Sequence, residues 1–435
     1  MLTLEPGAAP FSPGYVAVTG SRIEAGGRAA EGSDLPLARR RLDAGGRLVM
    51  PGLVNTHCHA AMVWFRGLAD DLALNDWLTR FIFPAEGAWL NGERTYWGAL
   101  LAAAEMIKGG ITTVADGYFY EAQVRRALAQ AGLRAVCAQG VVDFPAPGVA
   151  DPARNLEAAR SFMDSAEEVD TRLITSTLFC HSPYTCGPET LTRAKDLTRS
   201  RHLPYFLHLA ETRREVEVVK AQSGLKPALY LDRLGVLDEL TVAVHGVWLE
   251  EDEIELLARR GVKLSHCPES NAKLGAGVAA VPAMLAQGLT LGLGTDGAAS
   301  NNNLDLWGEM SLAARLHKVQ ASDPTVLPAS QVVGLATREG ARVLHLHDRS
   351  GVLAPGREAD LIIVNLDQPH LTPLYDPFSH LVYAARAADV TDVMVAGRWL
   401  LRERQLTTLD EGEIFQRLAE GSRELAAFVR SLPRP

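Results

Sequence analysis

Two histidines one residue apart, His57 and His59, follow the apolar pair Leu53-Val54 in the run Pro51-Gly52-Leu53-Val54-Asn55-Thr56-His57-Cys58-His59. A strand sends residues i and i+2 to one side, so both imidazoles leave the strand end in the same direction and can share a metal ion. The same spacing at His345-Leu346-His347 carries no such meaning, because it ends a helical stretch, where i and i+2 face apart. Partners for the first pair stand further on, at His208 in His-Leu-Ala-Glu and at Asp296 in Gly-Thr-Asp-Gly. Three nitrogens and one carboxylate oxygen, completed by water, suit Zn²⁺, with Fe²⁺ or Mn²⁺ as alternatives. An ion with an open position lowers the pKa of its bound water towards about 7 and supplies hydroxide at neutral pH. Glu211, three residues past His208, is placed to move a proton between that water and a substrate nitrogen, although a first-turn helix glutamate would look the same. His245 is placed to bond the attacking water or the tetrahedral centre it forms.

These groups are far apart in the chain, so the fold must gather them. Apolar, strand-length runs recur at 111–114, 135–142, 173–179, 205–209, 241–244, 262–265 and 290–293, separated by helical segments such as 93–108, 121–131 and 250–260. With the first strand this makes about eight β/α units, the pattern of a (β/α)₈ barrel; a doubly wound sheet is the rival arrangement. In a barrel the chemistry sits where strands end. The strand ends here read His57 and His59, Asp116, His181, His208 with Glu211, His245, His266 and Asp296. The expected organisation is a first part of a small β-sandwich domain at 1–51 and the barrel at 52–350. The second part of the β domain, with a C-terminal helix, is expected at 351–435.

The 435 residues are 47% hydrophobic and 22% charged, with a net charge of −9, which excludes an electrostatic case for nucleic acid or acidic lipid. The most apolar stretch, 278–294, is broken by Pro282, Gln287 and Gly288, so no membrane span is expected. Five cysteines, an odd number, argue against a disulfide framework, and no signal peptide is legible, so a cytoplasmic location is expected. The base rate of symmetric assembly leaves a homo-oligomer open.

Two motifs are set aside. Gly292-Leu293-Gly294-Thr295-Asp296-Gly297 matches G-x-G-x-x-G, but it sits at the last strand and carries an acid where a pyrophosphate would lie. The H-x-E with P-C-x-x-C signature of one class of zinc deaminases is absent. The fourth strand carries no lysine that could bridge two metals, which favours a mononuclear site.

The 51–59 run, His208-Leu209-Ala210-Glu211, the strand ending at His245 and Gly294-Thr295-Asp296-Gly297 together resemble the amidohydrolase superfamily over essentially the whole chain. Further stretches resemble its 5′-methylthioadenosine/S-adenosylhomocysteine deaminases. They are Arg66-Gly67-Leu68-Ala69-Asp70-Asp71 with Trp77-Leu78, Phe83-Pro84-Ala85-Glu86, His181-Ser182-Pro183-Tyr184-Thr185-Cys186, Ser270-Asn271-Ala272-Lys273-Leu274 and 296–302.

That resemblance implies hydrolytic deamination of an adenine nucleoside at C6, with Glu211 protonating the ring nitrogen and Asp296 and His245 managing the proton of the water. It places Glu86 on the ribose hydroxyls and His181 on the purine. It implies an arginine at the end of the third strand, and a second further on, in members that accept S-adenosylhomocysteine. Here Gln139 stands at the first position and Arg154 loosely matches the second. Glutamine cannot reproduce a bidentate guanidinium–carboxylate pair, so a preference for 5′-methylthioadenosine is expected, with S-adenosylhomocysteine and adenosine poorer. The alternatives are a deaminase or dechlorinase of guanine or an s-triazine, and a catalytically silent metal-binding protein on the same fold.

Overall fold

A computed structural model describes residues 1–29, 35–72, 74–166 and 169–431. Eight parallel strands form its centre: β4 (Leu53–Cys58), β5 (Ile111–Tyr118), β6 (Arg134–Val141), β7 (Ile174–Cys180), β8 (Tyr205–Leu209), β9 (Thr241–His245), β10 (Lys263–His266) and β11 (Thr290–Leu293). Each strand hydrogen-bonds its sequence neighbour, and a parallel bridge between Cys58 and Asp296 joins the last turn of the barrel to the first strand. The strands are short and buried on both faces, as expected where helices cover a parallel sheet. Val54, Ala115, Val136, Ala138, Phe179, Phe206, Val242 and Val244 fill the interior, so the barrel has a packed core with no pore.

The remaining strands form two small antiparallel sheets. β1 (Gly14–Thr19) pairs with β2 (Arg22–Arg28), and β3 (Leu48–Pro51), β12 (Leu361–Val364), β13 (Val390–Val395), β14 (Arg398–Arg402) and β15 (Gln405–Leu406) make a five-stranded sheet. Ile23, Leu361, Ile363 and Met394 form the core between them, giving a β-sandwich built from both ends of the chain. The sequence did not suggest β2, because glycines and charges interrupt its alternation. The sandwich is tied to the barrel by a buried bidentate pair: Arg134 Nε and Nη2 donate to Asp360 Oδ2 and Oδ1 at 2.7 and 3.1 Å.

The mouth of the barrel is roofed by a helical segment running through Leu74–Trp77, Leu78–Ile82 and Phe83–Trp89, whose middle turn is a π-helix. Trp77, Ile82, Ala85 and Trp89 pack with Met62 and Phe65 beneath them. Leu425 of the C-terminal helix Glu411–Ser431 completes that cluster, so the far end of the chain props the roof over the first strand. No helix among the described residues is long and apolar enough to cross a membrane.

Candidate active site

Strand parity brings the first two histidines together. His57 lies within β4 and His59 just beyond it, and their rings meet edge to face with centroids 4.6 Å apart. His208 comes from β8, and its Nε2 stands 3.3 Å from that of His57. Asp296, three residues past β11, places Oδ1 3.4 Å from His57 Nε2 and 3.3 Å from His59 Nε2.

The second atoms of His59, His208 and Asp296 are engaged. His59 Nδ1 donates to Gly117 O at 2.6 Å and His208 Nδ1 to His181 O at 2.8 Å. A carbonyl only accepts, so each ring carries its proton on Nδ1 and turns a free Nε2 lone pair to the centre. Asp296 Oδ2 accepts from Ser270 Oγ at 2.6 Å and Ser300 Oγ at 2.8 Å, which leaves Oδ1 for the centre.

The electrostatics match metal ligands. Burial pushes His57 down to about 3 and holds His208 well below the ordinary imidazole value, so both rings are neutral. Burial alone would raise Asp296, but the surrounding imidazoles of His57 and His59 hold it well below the usual carboxylate range. Three imidazoles and a carboxylate converge there, a donor set that suits a divalent metal.

Two strand-end groups do not join the cluster. Asp116 turns Oδ1 to the Ala60 N–H at 2.5 Å, and His266 faces outward, its Nε2 3.2 Å from Nε2 of His317 on the helix Leu306–Ala321. A strand end offers two sides, and only one of them faces the barrel mouth.

Around the cluster the structure assembles His245, Glu211, His181 and Glu86 in one cleft. His245 Nδ1 donates to Asn271 Oδ1 at 2.9 Å, and its Nε2 lies 3.9 Å from Glu211 Oε2. Loss of solvent and the nearby Asp296 charge raise Glu211 to about 8, so it holds a proton at neutral pH. His245 and Asp296 both have positive φ, +73° and +58°, in the left-handed region that side chains avoid. Such conformations cost on the order of 1–3 kcal/mol each and cluster where a site dictates the backbone. Glu86, from the roof, is 4% exposed, accepts from the Tyr118 hydroxyl and is pushed up to about 7 by burial. His181 is pushed down to about 4 by burial and has Nδ1 3.0 Å from Thr185 Oγ1.

Two residues singled out on the third strand and beyond are not brought to the cleft. Gln139 points into the helix layer, where its Oε1 accepts from the Glu121 N–H at 3.2 Å. The inward positions of β6 are even-numbered, and Gly140 and Val142 line the cleft in its place. Arg154 is 69% exposed and pairs with Glu157 at 3.1 Å, one helical turn along. No role was read from the sequence for Ser270, Asn271, Ser300 or Tyr118; the first two stand on the short helix Pro268–Lys273 after β10 and Ser300 in the turn after β11, where polar residues are ordinary.

A family model described as the amidohydrolase family matches residues 48–400. The 5-methylthioadenosine/S-adenosylhomocysteine deaminase of Syntrophobacter fumaroxidans is 46% identical over 418 residues, 96% of this chain and 95% of its own length. The 5′-deoxyadenosine deaminase of Methanothermobacter thermautotrophicus is 46% identical over 381 residues, 88% of each chain. Among solved structures, an adenosine deaminase from Xanthomonas campestris with bound Zn has a TM-score of 0.94 at 36% identity, covering 99% of this chain and 97% of that one. The chain therefore belongs to the amidohydrolase superfamily and, within it, to the 5-methylthioadenosine/S-adenosylhomocysteine deaminase family of metal-dependent hydrolases.

Proposed function

We propose that the protein hydrolytically deaminates the adenine ring of 5′-methylthioadenosine, with S-adenosylhomocysteine and adenosine as poorer substrates. The observation that carries this reading is one cleft holding the His/Asp cluster, the protonated Glu211 beside it and the buried Glu86 on its roof. His57, His59, His208 and Asp296 would hold the metal, and zinc, the ion in the Xanthomonas relative, is the expected occupant. A divalent ion there supplies hydroxide at neutral pH.

The side chains account for the rest of the reaction. Glu211 gives its proton to N1 of the purine, so that electrons from the ring can settle there as water oxygen bonds to C6. His245, fixed by Asn271, and Asp296 take the proton of that water. The amino group then takes the proton held by His245 and Asp296, the C6–N bond breaks and ammonia leaves; the C6 hydroxyl becomes the carbonyl as its proton returns to Glu211, and the inosine analogue remains. Glu86 accepts from the ribose hydroxyls, and His181 bonds the purine.

The cleft also suits a small uncharged 5′ group. Leu74, Trp77, Leu78, Phe83 and Phe144 line its outer part, and no lysine or arginine is among the described lining residues. A substrate carboxylate would lose water there without gaining a cation. The test is ammonia release by the zinc-loaded protein from 5′-methylthioadenosine, S-adenosylhomocysteine, adenosine, guanine and a chlorotriazine. Fastest release from the first is expected. Release from guanine or the triazine alone would overturn the substrate assignment.

A further inference from the structure

Glu215 does not line the cleft, yet both of its carboxylate oxygens are committed to the loop that carries Glu211. Thr212 caps the helix Arg213–Ser223, its Oγ1 accepting from the Glu215 N–H at 3.2 Å. In the usual reciprocal cap of a T-x-x-E sequence, the third-residue carboxylate reaches back to the N–H of the cap residue itself. Here it reaches further. Oε1 accepts from the Ala210 N–H and Oε2 from the Glu211 N–H, each at 2.8 Å. Glu215 is only 3% exposed, so these bonds are shielded from competing water.

The loop needs such a hold. Ala210 has φ +50°, a left-handed conformation that a residue with a Cβ does not favour. On its other side the chain is tied to the segment after His245, because Leu209 O accepts from Gly246 N at 3.0 Å and Ala210 O from Trp248 N at 2.9 Å. The two carbonyls are thus fixed by the β9 loop and the two amides by Glu215. Between them the backbone of Glu211 has one position, which sets its carboxyl 3.9 Å from His245.

We propose that Glu215 is a positioning residue for catalysis: by holding the Ala210 and Glu211 amides it aims the Glu211 carboxyl at the reacting ring. The inference rests on the deaminase reading for the role of Glu211, but the hold on the loop can be measured without turnover. Glu215→Gln keeps the shape, retains one acceptor and turns an NH₂ towards the other amide. Glu215→Asp keeps the charge but is one methylene short, and it carries the same test should the first variant fail to accumulate.

With zinc-loaded full-length protein, Glu215→Gln is expected to lower kcat per bound metal by about 30-fold while KM stays within about threefold, since aim and not binding is lost. In a Glu211→Gln background the same change should lower the residual rate by less than about threefold, because two residues acting through one group are not additive. Amide exchange of the 208–212 segment should quicken at least about tenfold.

A kcat per metal within about twofold of wild type, or an equal loss in both backgrounds, would overturn the positioning role and leave Glu215 a helix cap. Wild-type protein with no deaminase activity would instead sink the proposed function. Unchanged exchange at 208–212 would then refute the hold itself.

Discussion

Asp296 Oδ1 stands 3.3 Å from His59 Nε2, across the seam where the bridge between Cys58 and Asp296 joins the last turn of the barrel to the first strand. The backbone repeats the contact, with Asp296 N donating to His57 O at 3.0 Å. The residues proposed to hold the metal are therefore also the ones that close the barrel. Asp296→Asn keeps the shape but removes the one anionic ligand, and affinity for zinc should fall by about 10- to 100-fold or more. Chelator competition measures it. Stripping the metal from the wild type should lower Tm, because an ion bound only by the folded chain stabilises it. Unchanged affinity in the variant would remove Asp296 from the ligand set.

Glu211 touches none of the proposed ligands, so its replacement separates chemistry from metal binding. Glu211→Gln cannot give a proton to a ring nitrogen, and kcat should fall by about 10²- to 10⁴-fold with metal content unchanged. A variant that keeps wild-type turnover would end the general-acid assignment. One that loses its metal would show that the acid is part of the metal's support.

Gly294 gives the G-x-G match its physical meaning. A Cβ there would lie 2.7 Å from Ser265 Oγ and 2.9 Å from both Cβ and N of His57. The glycine lets the last strand approach the first closely enough for Asp296 to meet the histidines; it has no phosphate to cradle. Gly294→Ala should displace His57, lowering both Tm and zinc affinity. Overpacking of this kind costs about 1–3 kcal/mol. Unfolding curves of the metal-free and zinc-loaded forms measure both effects, and a neutral result in both would place the clash elsewhere.

The barrel and the convergence of His57, His59, His208 and Asp296 were legible because both rest on short-range rules. Apolar runs of strand length mark the strands, and a strand-end His-x-His must point one way. Parity on the third strand was hidden for a related reason. β6 is buried on both faces, so no alternation marks which residues look inward, and the sequence does not tell that Gln139 faces the helix layer. The roof segment Leu74–Trp89 contributed only a sequence motif, since its helical path is set by packing on Met62, Phe65 and Leu425. The T-x-x-E at Thr212 signals a helix start, but nothing in it says that the carboxylate reaches past the cap to Glu211.

Glu86 makes stability depend on pH. Burial raises its carboxyl from 4.5 to about 7, partly offset by the Tyr118 hydroxyl. The folded chain therefore holds this proton more tightly than the unfolded chain. Below about 4.5 the group is neutral in both states and costs nothing. As pH rises through 4.5 to 7 the cost grows, and above 7 it is complete, on the order of 3 kcal/mol. Glu86→Gln removes the titration. Its stability relative to wild type should rise across that window and level off above it, while KM for the nucleoside increases. Parallel stability curves from pH 5 to 8 would refute the buried, titrating carboxyl.

Substrate choice at the 5′ end should be insensitive to the two residues that first suggested it. Arg154 spends its charge on Glu157 in solvent, and exposed pairs of this kind contribute little. Gln139 serves the Glu121 amide, behind the wall of the cleft. The wall itself, with Gly140, Val142 and Phe144 facing in, is what denies a carboxylate its partner. Arg154→Ala should therefore leave kcat/KM for 5′-methylthioadenosine and for S-adenosylhomocysteine unchanged within about twofold, and so preserve their ratio. A tenfold loss confined to S-adenosylhomocysteine would mean that the loop before the helix Asn155–Asp164 folds inward over substrate and delivers the guanidinium after all. The apolar wall would then set the preference only in part, and the charge of Arg154 would have to enter the account of how the 5′ group is read.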